Sequence, residues 1–486
     1  MAYKLRSYQE ECVKSISSYI NSDRNDPVLV IGPVGCGKSL LIAEAARLMG
    51  DKTLVLQPSK ELLQQNYDKL TSYGIPATIY SASCGKKELS NMIYATLGSV
   101  KKVIGQLKEM GIRDVLIDEA HAGYSPEDGS EFMTFMNELK PKKVIGFTAT
   151  PCRLKTMSIG QVSYSQLNFI TRMRPVYFKN LIHVIQVEEM IRQGFWTPLK
   201  YETWDFNGDA LKLNSNGSEY TAESISEAVR KNGLNNLILR RLMVLKDVCR
   251  SILVFMDSVE SCNTAAEWMN AKICAGMAEV VHGGTPKRQR EAIVERFKSG
   301  GTQVVFNYSA LGTGFDHPGL DCVVFGRPTF SFSTWYQAIG RAVRIKDGKD
   351  SAMVVDCCDN SSRFGDIRGL SIENYKGYGW GMFIGDKLIT NIPMGDKVTK
   401  TDLDIKAAKK DRRRGLAQGV TAAPIPGRPP HPLGSTVMAF GKYSGWMLHS
   451  IPVSYFKFIN ETFDWDNNRN KEIKEYIDFL IKNNRL

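Results

Sequence analysis

The chain has 486 residues, 43% of them hydrophobic and 23% charged, too long for one ordinary core and too evenly mixed for a fibrous or disordered protein. Its 63 basic against 51 acidic residues leave a net charge of +12, which favours an anionic partner, nucleic acid before an acidic membrane surface. No apolar run reaches the ~18 residues of a membrane span, and the opening Met1-Ala2-Tyr3-Lys4-Leu5-Arg6 lacks a secretory core.

The first third alternates short apolar runs with helical stretches, the pattern of a parallel sheet with crossover helices. Strands are predicted at residues 28–31, 53–57, 77–80, 91–95, 115–118 and 143–147, with helices at 59–70 and 131–139. Directly after the first strand, Gly32-Pro33-Val34-Gly35-Cys36-Gly37-Lys38-Ser39 matches G-x-x-x-x-G-K-[ST]. A strand delivers such a loop and a helix receives it, so that backbone N–H groups converge on the phosphates of a nucleoside triphosphate. Lys38 would neutralise the β- and γ-phosphates, and the Ser39 hydroxyl would ligate Mg²⁺.

The strand at 115–118 runs into Asp118-Glu119-Ala120-His121, which sets two carboxylates at the sheet edge where the phosphates lie. Asp118 would hold Mg²⁺, and Glu119 would orient and deprotonate the attacking water. Gly146-Phe147-Thr148-Ala149-Thr150-Pro151 closes the next strand. Thr148 and Thr150 suit a hydrogen-bonded relay from His121 and the acids, or simply a strand exit.

Residues 160–250 are less regular, with a short helix predicted at 188–194, a strand at 199–206 and one or two bridging helices at 222–248. The alternation then restarts. Strands at 252–256, 279–282, 302–306, 322–325 and 352–356, with helices at 259–271, 286–299 and 333–342, make a second α/β domain. It contains Leu311-Gly312-Thr313-Gly314-Phe315-Asp316 and, further on, Gln337-Ala338-Ile339-Gly340-Arg341-Ala342-Val343-Arg344. Arg341 and Arg344 lie three apart, on one face of a helix. Aimed across a cleft they would stabilise charge developing on a γ-phosphate, a solvated basic face being the plainer alternative.

Beyond residue 359 the alternation fades into a Gly-rich aromatic stretch at 375–381, a basic stretch at 406–414 and a Pro-rich segment at 424–432. The last has linker composition. Helices predicted at 455–463 and 472–483 suggest a small separate module. Domains are therefore expected at 1–160, 251–395 and 435–486, with a connecting segment at 161–250 and a basic, Pro-rich linker at 396–434. The ten cysteines form no C-x-x-C pair, so neither zinc nor a disulfide framework is expected.

In their order these residues resemble a superfamily 2 helicase or translocase of the DEAH-containing kind, over roughly residues 4–358. The resemblance implies two tandem RecA-like α/β domains with parallel sheets, beside the small, mainly helical C-terminal module, and a motor using ATP and Mg²⁺. Leu5-Arg6-Ser7-Tyr8-Gln9 is similar to the family's glutamine motif, in which Gln9 would read the adenine edge. Gly314 and Asp316 would also face the nucleotide. His121, Thr148, Thr150 and Gln337 would couple hydrolysis to the track. Pro58-Ser59-Lys60-Glu61-Leu62 and Thr96-Leu97-Gly98-Ser99 match strand-contacting motifs, in which Ser59, Lys60, Thr96, Gly98 and Ser99 would grip phosphates. In the second domain, Val254-Phe255-Met256-Asp257-Ser258 and His282-Gly283-Gly284-Thr285 correspond, and His282 and Thr313 would join that grip.

Within the superfamily the chain resembles the RadD-type DNA repair helicases and their phage and restriction-type relatives. Residues 5–9, 146–154, 194–198, 313–318 and Arg327-Pro328-Thr329 carry the likeness. One departure stands out: the cysteine-bearing zinc segment of the RadD type has no counterpart, since no cysteine follows Cys358. Partner contacts made by that segment therefore do not carry over.

Met438-Ala439-Phe440-Gly441-Lys442-Tyr443-Ser444-Gly445 resembles a small F-G-K-Y-x-G module of bacterial and phage proteins. Lys442, Tyr443, Trp446 and Trp465 either form a basic-aromatic surface on which bases stack or pack a very small core. The basic stretch at 406–414 is either a solvated linker or a nonspecific phosphate tether. The expected function is ATP-driven movement along, or remodelling of, DNA in repair, recombination or at forks and junctions. Contacts with the DNA backbone would make it indifferent to sequence. A nucleotide-gated binding factor that unwinds nothing, an RNA helicase and the motor subunit of a restriction system stay open, although no P-D-x(n)-D/E-x-K nuclease signature is evident. Expected partners are DNA and recombination or repair proteins, with no membrane, in the reducing cytoplasm of a bacterium or phage-infected cell.

Overall fold

The computed structural model describes residues 4–122, 129–159, 162–215, 217–311, 315–375, 378–394, 396–407, 432–436, 438, 447–462, 465 and 470–483. Its first half is built on an eight-stranded sheet. The strands are β1 (Val28–Ile31), β2 (Thr53–Leu56), β3 (Thr78–Ser81), β4 (Lys86–Lys87), β5 (Met92–Ala95), β6 (Asp114–Ile117) and β7 (Lys143–Thr148). After an antiparallel hairpin of β8 (Cys152–Ile159) and β9 (Val162–Phe169), β10 (Asn180–Val184) returns to the sheet. The order is β10-β1-β7-β6-β2-β5-β3-β4, parallel throughout except between β3 and β4. β1, β2, β5, β6 and β7 are buried along their whole length. A parallel sheet covered on both faces demands that, and it explains why these strands read as unbroken apolar runs. Helices Ser7–Ile20, Lys38–Met49 and Lys60–Thr71 pack one against the next.

The second sheet holds β11 (Leu199–Thr203), β12 (Ile252–Phe255), β13 (Ala278–His282), β14 (Val304–Tyr308), β15 (Cys322–Phe325) and β16 (Ala352–Asp356). Its order is β11-β16-β15-β12-β14-β13 and every pair is parallel. The segment between the α/β halves is thus shared out. β10 joins the first sheet, β11 the second, and the predicted bridge at 222–248 is two helices, Ala222–Lys231 and Leu234–Val248. Both halves are RecA-like.

Three features were not read from the sequence. The β8–β9 hairpin escapes because Ser165, Leu167 and Phe169 are buried in alternation with half-buried Tyr164, Gln166 and Asn168, a polar pattern with few β-branched residues. β10 is an edge strand, half-buried to exposed. Within the Gly-rich region, Gly379–Ile384 and Lys387–Leu388 pair antiparallel.

The chain divides into two units. One comprises Met1–Asn374 with Trp380–Val398 and holds both sheets; the other comprises Tyr375–Gly379 with Thr399–Leu486. In the second unit, helices Val453–Thr462 and Lys471–Lys482 bury Phe456, Ile459, Ile473, Tyr476, Ile477 and Leu480 around a small core with Met438, Leu448 and Ile451. Trp465 packs against that core, with the Lys474 ammonium 5.9 Å from its ring centroid. Lys442, Tyr443 and Trp446 lie outside the described residues, as do the Pro-rich segment up to residue 431 and residues 408–414 of the basic stretch. Among the described residues no helix is long and apolar enough to cross a membrane.

Candidate nucleotide site and inter-domain cleft

β1 hands the chain to the phosphate loop, where the Gly32 N–H donates to the Thr148 carbonyl of β7 at 3.1 Å. The loop ends at Gly37, the residue preceding helix Lys38–Met49, in the left-handed region at φ +82°. A Cβ there would lie 2.6 Å from Gln9 Nε2, so conformation and packing both require glycine. Gln9 is held from two sides. Its Nε2 donates to the Cys36 carbonyl at 2.9 Å and its Oε1 accepts from Arg6 N–H at 3.0 Å. The Tyr8 hydroxyl donates to the same carbonyl at 3.1 Å. Lys38 and Ser39 open the helix, and Lys38 Nζ sits 2.5 Å from Glu119 Oε1. Burial works to lower the Lys38 pKa, but the carboxylates of Glu119 and Asp118 outweigh it and the ammonium is strengthened.

At the end of β6, Asp118 is nearly inaccessible. Its Oδ2 accepts from Asn66 Nδ2 and its Oδ1 from the Glu119 N–H, both at 2.8 Å. Burial, reinforced by Glu119 and opposed by Lys38, lifts the Asp118 carboxyl to about 6. Glu119 adopts φ +46°, unusual for a residue with a side chain. Burial pushes its carboxyl up, yet Lys38, His121 and Arg341 together bring it below the ordinary range. His121 is driven to about 4, first by burial and then by Lys38 and Arg153, against the pull of Glu119. A neutral imidazole follows. Thr148 Oγ1 stands 2.8 Å from its Nδ1 and Thr150 Oγ1 2.9 Å from its Nε2. Arg153 Nε donates to the His121 carbonyl, tying the root of the β8–β9 hairpin to this residue.

The opposite wall comes from the second sheet's domain. Helix Phe332–Ala342 is capped by Ser331, whose hydroxyl accepts from Thr334 N–H, and buries Phe332, Trp335, Tyr336 and Ile339. Gly340 lies against the phosphate loop: a Cβ there would stand 2.5 Å from Val34 Cβ. That absence of a side chain lets the helix reach the other domain. Arg341 Nη1 donates to the Phe315 carbonyl at 2.6 Å, and Arg344 pairs with Asp316. Burial brings Arg341 down to about 10 against the pull of Glu119, and it also lowers Arg344. A cleft of about 510 Å³ separates the walls, lined by Gln9, Lys38, Ser39, Asp118 and Glu119 on one side and by Asp316, Gln337, Arg341 and Arg344 on the other.

One stretch touches both walls. Trp196 Nε1 donates to the Val34 carbonyl of the phosphate loop at 3.0 Å. Its neighbour Thr197 donates through N–H to the Val343 carbonyl and through Oγ1 to the Arg344 carbonyl, each at 2.8 Å. Phe195 lines the cleft and lies under the Arg6 guanidinium, 4.4 Å from ring centroid to carbon.

Of the residues expected to grip a nucleic acid, the described ones do not line this cleft. Ser59 caps helix Lys60–Thr71, its hydroxyl accepting from Leu62 N–H at 3.3 Å, and Lys60 is half-buried. Thr96 Oγ1 donates to Ser99 Oγ at 3.1 Å, and exposed Gly98 lies between them. His282 ends β13, its Nδ1 accepting from Gly284 N–H at 3.1 Å. Thr313 and Gly314 lie outside the described residues. Sequence reading missed Asn66, Trp196 and Thr197 as parts of the site. For Asn66 a signal existed: it shares a buried helical face with Leu63 and Leu70, and an amide in an apolar stripe needs a partner.

Ser39 and Asp118 offer a hydroxyl and a carboxylate beside Lys38. Those hard oxygen donors fit Mg²⁺, which keeps most of its waters and uses one or two carboxylates with substrate phosphates. Among the described residues no group of three or more His, Cys, Asp or Glu is placed to hold a metal ion.

Residues 2–153 match the family model described as type III restriction enzyme, res subunit, and residues 235–346 match helicase conserved C-terminal domain. A Saccharomyces cerevisiae protein described as an ATP-dependent helicase, IRC3, is 24% identical over 74% of this chain and 52% of its own length. A 51.5 kDa protein of a Lactococcus phage is 24% identical over 68% of this chain and 65% of its own. The chain thus spans between half and two thirds of these relatives. Among solved structures, the DNA-bound ATP-dependent type ISP restriction-modification enzyme LlaBIII superposes with TM-score 0.55 at 17% identity, over 74% of this chain and 28% of that one.

Proposed function

We propose that this chain, which belongs to the superfamily 2 helicases, couples ATP hydrolysis in the inter-domain cleft to movement along DNA. The observation that carries the reading is the division of the site: Lys38, Ser39, Asp118 and Glu119 stand on one domain, Arg341 and Arg344 on the other, facing one cleft. A kinase or a GTPase can complete its site within one domain; a site halved in this way reports on the relative position of two domains.

Lys38 is paired with Glu119 in the present arrangement. The phosphates of ATP would draw Lys38 away and leave the Glu119 carboxylate to take a proton from water. Mg²⁺ held by Ser39 and Asp118 would neutralise phosphate charge. Arg341 and Arg344 would meet the charge that develops on the γ-phosphate, where planar guanidinium outperforms ammonium. His121, neutral and bonded to Thr148 and Thr150, links the acids to the end of β7. Ser59, Lys60, Thr96, Gly98 and Ser99 in the first domain, with His282 and Thr313 in the second, would hold successive phosphates. Each closure would then shift one grip against the other.

DNA as the track is supported by the restriction-enzyme description of the matching family model, by the DNA in the LlaBIII structure and by the charge of +12. The RadD-like motif residues favour a task in repair, recombination or remodelling of forks and junctions. The test is ATPase rate with linear, forked and Holliday-type DNA and with RNA of matched length. Stimulation by DNA, strongest on branched forms, is expected. Stimulation by RNA alone would refute the DNA track, and equal basal rates with every nucleic acid would refute the motor.

A further inference from the structure

Helix Phe332–Ala342 ends just before Arg344, and its last carbonyls have no partner within the helix. Two residues outside the helix take the carbonyls at its end and just beyond it. Lys349 Nζ donates to the carbonyls of Ala342 at 2.6 Å, Arg344 at 2.8 Å and Pro318 at 3.2 Å. An ammonium has three protons, and all three are used. From the other side, Thr197 Oγ1 donates to the Arg344 carbonyl at 2.8 Å and Thr197 N–H to Val343 at 2.8 Å. Thr197 follows Trp196, which holds the phosphate loop through the Val34 carbonyl. Pro318 lies two residues past Asp316, the partner of Arg344.

We propose that Lys349 and Thr197 are positioning residues for the arginine pair, bracing the backbone of Arg344 from behind so that the guanidinium groups face the γ-phosphate. The proposal rests on the reading of Arg341 and Arg344 as phosphate-facing groups. Its physical basis is the helix end. Carbonyls there carry partial negative charge, an ammonium is the natural cap, and charge-assisted bonds hold geometry more firmly than neutral ones. The lysine also binds the loop at residues 315–318 to the helix end, so Arg344 and Asp316 move as one piece. Thr197 links that piece to the other wall of the cleft. A misplacement of about 1 Å at a transition-state contact is enough to slow chemistry markedly while leaving ground-state binding alone.

Lys349 is half-buried, and burial lowers its pKa to about 8, with Arg344 and Lys346 adding to the effect and Asp321 opposing it. The other charged or titratable groups facing it are His317 and, through Arg344, Asp316. His317 is driven to about 4 by burial and the nearby lysines, so it stays neutral across the range in question. Above about pH 8 the brace loses its charge and one donor.

The test uses the full chain, measuring kcat and KM for ATP with saturating DNA, and ATP affinity by equilibrium dialysis. Lys349→Met is expected to lower kcat about tenfold with affinity within about twofold. Thr197→Val should lower kcat about threefold, and Thr197→Ser should restore it. In an Arg344→Ala background Lys349→Met should have little further effect, because the group it positions is gone. The alkaline fall of kcat near pH 8 should flatten in Lys349→Arg. If Arg344→Ala lowers kcat while Lys349→Met and Thr197→Val do not, the brace is wrong and the arginine reading stands. Full kcat in Arg344→Ala would overturn both. Equal losses from Lys349→Met with and without Arg344 would assign the lysine another role and sink the proposal. Should Lys349→Met fail to fold, the Thr197→Val and Thr197→Ser pair decides alone.

Discussion

On the first wall of the cleft, charges answer one another. Lys38 lies on Glu119, Asp118 is held by Asn66 and the Glu119 N–H, and His121 stays neutral between two threonine hydroxyls. On the second wall, two guanidinium groups face the cleft with Asp316 as the acidic residue lining it from their own side. Burial depresses both arginines, whereas on the first wall it is overruled at Lys38 and Glu119 by their mutual attraction. The difference teaches a division of labour. On the proposed reading, the first wall is electrostatically settled before ATP arrives and the second is arranged for an anion placed between the walls.

Removing the cation of the first wall should break this contrast most severely. Lys38→Ala is expected to reduce ATP turnover by on the order of 10³-fold and to weaken ATP binding, since it strips the phosphates of their ammonium and leaves Glu119 unpaired. Steady-state ATPase with nucleotide affinity decides it, and unchanged values for both would undo the site. Glu119→Gln should lower kcat by about 10²–10³-fold while ATP stays bound, because shape and hydrogen bonding survive the loss of the base. A filter-binding assay on DNA with ATP should then show a persistent complex.

Gly340→Ala sharpens the comparison from the second wall. The added methyl would press on Val34, so the walls could not approach as closely, and about a tenfold loss of kcat is expected with little change in thermal stability. An equal loss of ATP affinity would show that the contact serves binding instead. The smallest effect concerns His121 and His317, one in each domain, both driven to about 4 by burial. The folded state resists protonation that the unfolded chain accepts near 6.5. The contribution of these two histidines to stability is therefore full above about pH 6.5 and falls as the pH drops toward 4. His317→Gln, whose amide can still hydrogen-bond the Ser251 hydroxyl that lies 2.8 Å from His317 Nε2, should make that fall in melting temperature shallower, and an unchanged slope would acquit His317.

Much of this was legible because the chemistry lies in contiguous strings at strand ends. The phosphate loop and Asp118–His121 follow β1 and β6 directly, and strands buried on both faces read as apolar runs to within a residue or two. The arginine helix could be placed, but nothing in its sequence says what it faces. The residues that escaped act at long range. Trp196 reaches a carbonyl 162 positions away, and Thr197 and Lys349 hold backbone atoms, which leave no mark on the residues they belong to. Asn66 was visible as an anomaly on a buried helix face. Edge strand β10 and the β8–β9 hairpin carry mixed patterns, since they are buried on one side only.

The indole of Trp196 has a consequence for observing the cleft directly. It is 3% exposed and bonded to the very loop that would receive the phosphates, so its fluorescence should respond to cleft opening. Separation of the walls would admit water to the ring and shift its emission to longer wavelength. The chain has seven tryptophans, and subtracting the spectrum of Trp196→Phe isolates this one. A stopped-flow trace of that difference would time each opening and closing without any label.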